Sequence, residues 1–103
     1  MAINVLRSMR VWVGQGQSGY NVILGLAQFN GTDTTGTIEC PFPQIMNVLT
    51  TNIGGATGEN VVCDAAALVG DGMIQRDPNG MLAFKRFAGT TSGLIFSFEI
   101  KGY

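Results

Sequence analysis

The acidic side chains are the first candidates for chemistry: Asp33, Glu39, Glu59, Asp64, Asp71, Asp77 and Glu99. Glycoside hydrolysis needs two carboxylates facing each other across a cleft, about 5–10 Å apart. Asp33, Asp71 and Asp77 stand in turn-forming stretches, where Asp is common because its side chain bonds to nearby backbone. A core this small rarely opens such a cleft. Asp71, set between two glycines, invites a calcium-loop reading, but the D-x-D-x-D-G spacing with a following Glu is missing. The chain has no histidine, which removes the commonest general base and metal ligand together. Ser18 and Ser92, in glycine-flanked loops, and Cys63 therefore lack the partner that would activate them. The expectation is a non-enzyme with no catalytic set, no cofactor and no metal.

Two further patterns carry bland readings. Gly14-Gln15-Gly16-Gln17-Ser18-Gly19 matches the dinucleotide fingerprint G-x-G-x-x-G, which works only where a helix follows and receives the pyrophosphate on its N-terminus. The next residues, Tyr20 to Phe29, read instead as a strand, so the glycines are assigned to a loop. Cys40 and Cys63 could form one disulfide, but without an export signal they read as reduced thiols acting as small hydrophobes.

Behind these residues must stand elements that position them, and the last stretch is the plainest. Leu94, Phe96, Phe98 and Ile100 alternate with Ser97, Glu99 and Lys101, the period of a strand with one wet face. Such a strand needs an opposing sheet. Earlier, Met9, Val11 and Val13 alternate with Ser8, Arg10 and Trp12, giving a strand over 7–13 with Trp12 on its wetter side. Tyr20–Phe29 reads as a strand buried on both faces. Asn30–Gly36 is a turn region, and 37–40 a short strand stopped by Pro41-Phe42-Pro43. Gln44–Ile53 fits a helical stripe or a strand, and 61–69 a strand or a short helix; the strand is taken for both. Asp77-Pro78-Asn79-Gly80 is a turn signal that predicts a hairpin between 73–76 and 81–87. Phe29, Phe42, Phe84, Phe87, Phe96 and Phe98 read as core. Seven or eight short strands in one domain over 1–103 predict an all-β fold, an antiparallel β-sandwich of jelly-roll type, with residues 1–6 a candidate N-terminal arm.

Composition bounds the partners. Charged residues make up only 13% of the 103, about half the usual share, so part of the surface is expected to be covered by other subunits or a partner. A net charge of −1 with six dispersed Lys and Arg offers no basic stripe for nucleic acid. The longest apolar stretch, Val22–Ala27, is far short of a membrane span, and the N-terminus carries no signal-peptide pattern. Ile3, Val5, Leu6, Trp12 and Tyr103 are the candidate inter-subunit contacts, with Trp12 alternatively packed under Arg10 or a loop.

From Lys85 through Ala88-Gly89-Thr90-Thr91-Ser92-Gly93 to the closing Lys101-Gly102-Tyr103, the last third resembles small structural proteins of tailed bacteriophages. They often end in a basic or aromatic strand, a Gly-Thr-Ser-Gly turn and a last strand closing on Gly-Tyr. The resemblance implies a compact sandwich or jelly roll on the virion. It implies a capsid decoration or cement protein that binds the major capsid protein as a homotrimer at the capsid surface, after synthesis in the host cytoplasm. The alternative is a tail or fibre-tip module that binds a carbohydrate receptor.

Overall fold

The computed structural model describes residues 2–15, 18–64, 74–76 and 79–103. Among them are eight strands and no helix: β1 (Asn4–Gln15), β2 (Ser18–Gln28), β3 (Thr35–Glu39), β4 (Gln44–Ile53), β5 (Asn60–Cys63), β6 (Ile74–Gln75), β7 (Met81–Phe87) and β8 (Ile95–Gly102). They form a five-stranded sheet, β1-β2-β8-β4-β6, facing a three-stranded sheet, β3-β7-β5. Every ladder between strands is antiparallel. The pairs β2·β8, β3·β7 and β4·β6 are nested, first with last, around β5. The chain is thus one long antiparallel ribbon rolled into two sheets, the jelly-roll arrangement, with β1 added outside β2.

The core lies between the sheets. β8 delivers Phe96, Phe98 and Ile100, with Leu94 just before it, and the facing sheet delivers Ile38, Val61, Leu82 and Phe84. Phe96 is fully buried, its ring centroid 5.4 Å from Phe29 and 5.7 Å from Phe84. Strand β2 carries Gly25 opposite Phe98 for a steric reason. A Cβ at Gly25 would lie 2.5 Å from the Phe98 ring, which occupies that space.

Both corners of the sandwich are tied. On one side the Thr50 hydroxyl donates to the Val61 carbonyl, and the Asn52 amide donates to the Glu59 carbonyl, joining β4 to β5 and the residue before it. On the other, Ile3 N–H donates to Thr37 O at 2.9 Å, with Ala2 bridged to Thr37. Ile3, only 5% exposed, enters the core. Residues 2 and 3 of the expected arm are therefore docked on the protomer's own body, and residues 4–6 already belong to β1.

Several expectations need correction. β2 is not buried on both faces, since Leu24 is exposed and only Val22 and Ala27 are buried. The glycine-rich loop is shorter than 14–19, because Gly14 pairs with Gly19 and Gln15 with Ser18; residues 16 and 17 lie outside the described residues. The hairpin predicted across 77–80 does not form. β6 joins β4 in one sheet while β7 joins β3 and β5 in the other. Cys40 is held from both flanks, its carbonyl accepting from Arg76 Nη1 and its N–H donating to Gly80 O, where β6 and β7 belong to different sheets. Asp77, Pro78 and residues 65–73 lie outside the described residues, and with them the second half of the strand expected over 61–69. The ambiguous stretch 44–53 is a strand throughout.

Candidate interaction surface

β1 is exposed along its whole length, and among the described residues its ladder partner is β2 alone. Among the described residues the facing sheet has three strands against five, and β1, beyond β2, lies outside them. Directly opposed residues of an antiparallel ladder share a face, which makes the outer face of the large sheet readable as rows. Val11, Val22, Lys101 and Asn47 form one row; Met9, Leu24, Glu99 and Leu49 the next; Arg7, Leu26, Ser97 and Thr51 the third. Gln28, Ile95 and Ile53 follow. Along this face Met9 is 58% exposed, Ile53 53%, Leu49 50%, and Val11, Val13 and Leu24 about 40%. Between Leu24 and Leu49 runs a shallow groove of about 260 Å³, floored by Ser97 and Glu99. The polar groups of β8 are spent on one another and on the sheet: Lys101 Nζ is 3.8 Å from Glu99 Oε1, and Ser97 lies within reach of Thr51 O. The face therefore offers apolar contact around the Glu99–Lys101 pair, with Arg7 toward one end.

The sequence-derived candidates fall differently. Val5, Leu6, Trp12 and Tyr103 are 40–49% exposed. Ile3 is in the core and takes no part in any surface. Trp12 rests against Gly19, where an added Cβ would come within 2.9 Å of the indole. Among the described residues both sides of β1 are exposed, although Met9, Val11 and Val13 read as its dry face; the side that faces the body is the other one, where Arg10 lies 5.0 Å over the Phe42 ring, because the alternation identified two sides but not which of them faced the body. Leu24, Leu49 and Ile53 were not singled out from the sequence; the signal available was an apolar residue on the face of Ser97 and Glu99, legible only once register is known.

On the inner side, a second groove of about 360 Å³ is lined by Val5, Ser8, Ile23, Ile38, Glu39, Pro41 and Phe98. Its one carboxylate, Glu39, has neither a second acid nor a base among the lining residues, so the groove holds no acid–base pair. Among the described residues no three His, Cys, Asp or Glu gather as a metal site. Cys40 and Cys63 are thiols. Burial pushes the Cys40 thiol up, against a weaker opposing pull from the Phe42 carbonyl contact and from Arg76 and Arg10, which keeps it protonated and unreactive.

The densest polar cluster is at the loop end of the sandwich. Arg86 sits where the alternation of Leu82 and Phe84 on β7 calls for an apolar residue, and its side chain is wholly buried. It donates to Asp33 O at 2.7 Å, Thr91 O at 2.6 Å and Gly31 O at 3.2 Å. It lies 3.6 Å from Glu59 Oε2 and stacks 4.7 Å over the Phe29 ring. Glu59 in turn accepts from Ala56 N–H and Thr91 N–H. The pair thus pins three loops and is architectural. A charge at an inward position of a strand was the signal for it.

A pH dependence follows from this cluster. The Thr91 side chain first, then backbone N–H groups of Ala56 and Thr91 and the Arg86 charge, hold the Glu59 carboxyl below its ordinary value of 4.5, against the opposing effect of burial. A carboxylate with a lowered folded value adds stability that is fully present above the ordinary value and is lost as pH falls through the folded one. Thermal melts on descending from neutral pH should therefore show a fall in midpoint beginning below about pH 4.5, and Glu59→Gln should flatten that limb. An acid limb of the same steepness in Glu59→Gln would assign it to other carboxylates.

Against protein-family models, curated proteins and solved structures, the chain matches none. Its own geometry is what bears on function.

Proposed function

We propose that this chain is a non-enzymatic structural protein of a phage virion, a decoration or cement protein that binds and stabilises a capsid lattice through the outer face of its five-stranded sheet. The observation that carries this reading is that face itself, with Met9, Val11, Val13, Leu24, Leu49 and Ile53 each about 40–60% exposed on one surface. Apolar surface gathered in this way marks a contact with another macromolecule. The low share of charged residues points the same way, and jelly rolls build both viral capsid and lectin domains, an analogy at the level of fold. A protein that binds only the assembled shell stabilises it by mass action, adding contacts absent from the dissociated subunits.

A second reading, a carbohydrate-binding module at a tail or fibre tip, draws on Trp12. Its half-exposed indole stands directly across from Asn21, whose side-chain oxygen accepts from Arg10 Nε at 3.2 Å. A flat ring beside an amide and a guanidinium suits a sugar.

Co-sedimentation with empty capsids of the phage that encodes the chain separates the two. Binding is expected, and Leu49→Asp and Leu24→Asp should each weaken it about 10-fold, since each gives up roughly 1 kcal/mol of apolar burial, about half of that for a fully exposed Leu, and sets a carboxylate in the contact, while the circular dichroism stays that of the parent. Trp12→Ala should leave capsid binding within a few-fold. No sedimentation, with a glycan-array signal abolished by Trp12→Ala, would replace the first reading with the second.

A further inference from the structure

We infer that β1 is a self-pairing edge: two copies of the chain join antiparallel about a two-fold axis at Val11, fusing their five-stranded sheets into one. This goes beyond the capsid reading and does not depend on it.

Three observations lead there. First, β1 is a long edge strand whose outer side is unpaired among the described residues, whereas the sandwich's other margins are tied by Thr50, Asn52 and Ile3. An unpaired row of N–H and C=O groups on a strand with an apolar face is a template for another strand, and natural edges normally blunt it by being short, by inward charges or by proline. β1 is neither short nor broken by Pro, at 12 residues, and its one inward charge, Arg10, is held within the protomer by Asn21 Oδ1 and over the Phe42 ring. It is regular from Arg7 onward, past the irregularity between Val5 and Arg7.

Second, the tip of the β1·β2 hairpin runs past the body. β8 ends its ladder with β2 at Asn21↔Gly102, while β1 and β2 continue through Val13↔Tyr20 and Gly14↔Gly19 to Gln15↔Ser18. The edge is clear of the second sheet along this length.

Third, the sequence of β1 is complementary to itself in one register. A two-fold axis normal to the sheet keeps each face on its own side, so each residue must meet one of the same parity. Centred on Val11, the regular part of the strand pairs over its full span, Arg7 to Gln15. On the outer face Val11 meets Val11 and Met9 meets Val13, while Arg7 meets Gln15 at the ends. On the inner face Arg10 stands opposite Trp12 twice, its guanidinium held over the Phe42 ring at 5.0 Å and against Asn21 Oδ1, so that no like charges meet, and Ser8 meets Gly14. Centring on Arg10 or on Arg7 sets like charges directly opposite, which destabilises a ladder. Centring on Met9 or Trp12 shortens the overlap. β1 carries two arginines and no acid, so the Val11 register is the one that gives full overlap without charge conflict. It also makes the apolar outer faces of the two copies continuous.

A two-fold contact closes as a dimer, in distinction to the trimer that the phage resemblance implies. Light scattering of the full chain should give twice the 10.9 kDa protomer mass, dissociating on dilution, and Val11→Lys, which faces two ammonium groups at the axis, should run as a monomer with the parent's circular dichroism. Directly opposed residues lie about 4.5–5.5 Å apart at Cα, within disulfide reach. Val11→Cys should therefore oxidise to a covalent dimer. Met9→Cys should not do so alone, but should when mixed with Val13→Cys. The unsubstituted chain sets the background from Cys40 and Cys63. A monomer at every concentration, a trimer mass, or Met9→Cys cross-linking alone as readily as Val11→Cys would overturn the proposal. Because none of these readouts uses a capsid, loss of capsid binding with the dimer intact would fall on the functional reading instead.

Discussion

Replacing Arg86 with Leu is expected to cost about 3–5 kcal/mol, the range for breaking a buried ion pair from one side. The guanidinium is the donor for three loop carbonyls, those of Gly31, Asp33 and Thr91, and it faces the solvent-excluded carboxylate of Glu59. Leu fills much of the volume but takes the guanidinium donor away from the part-buried carbonyls of Asp33 and Thr91, while Gly31 O keeps Gly93 N–H at 2.8 Å; each group left unsatisfied carries its own desolvation cost. Arg86→Lys should also lose stability, because a point-like ammonium cannot reproduce the planar fork that reaches separate carbonyls. Set against the 5–15 kcal/mol of a typical domain, the leucine variant should melt far below the parent. Denaturant unfolding gives the magnitude. A double substitution with Glu59→Leu should lose less than the sum of the two single changes, since the uncompensated carboxylate is removed with its partner; strict additivity would mean that the two side chains do not act as a unit.

Phe96→Ala is expected to cost a similar amount, about 3–5 kcal/mol. Phe96 has no exposed surface, and its ring is the hub of the aromatic cluster: Phe29 at 5.4 Å, Phe84 at 5.7 Å and Phe98 at 6.4 Å between centroids. It lies on β8, which has a strand on each side and sits at the centre of the large sheet. Truncation leaves a cavity that neighbouring rings, held by both sheets, can close only in part. Phe87→Ala is the internal comparison. Phe87 is 48% exposed on the same type of strand, under Lys85, and its loss should stay below about 1 kcal/mol. Equal losses at both positions in denaturant unfolding would place the core elsewhere than between the two sheets.

These two expectations differ in how far the sequence could reach them. The period of two in 94–100 marks Phe96 as inward without any coordinates, because a strand with two Phe and an Ile on one side and Ser97, Glu99 and Lys101 on the other has only one face it can bury. Arg86 is also inward by the same period, yet nothing along the chain says that loops around 31–33, 56–59 and 91 converge on it, since those partners come from three separate connections. The hairpin signal at Asp77–Gly80 shows the opposite error. Turn chemistry is local and says that the chain bends, while pairing is decided by which sheet edge lies within reach. Here β6 and β7 find different sheets, although the turn residues are those of a hairpin.

The interaction surface shows the same division. Alternation on β1 separates Met9, Val11 and Val13 from Ser8, Arg10 and Trp12, and on β8 it separates Ser97 and Glu99 from the rings. Composition adds that the charged surface is sparse. From the sequence by itself follow the all-β class, the sidedness of the last strand, an aromatic core that holds Phe29, Phe42, Phe84, Phe96 and Phe98 but not Phe87, which is exposed at the strand's end, and the want of a histidine. Tertiary structure alone decided which strands share a sheet, which leaves β1 outside the facing strands among the described residues, takes Ile3 from the surface into the core and aligns Leu24 and Leu49 across Glu99. The physical reason is that a strand's period fixes which residues share a side, whereas burial of that side depends on the width and register of another sheet, brought there by residues far away in the chain.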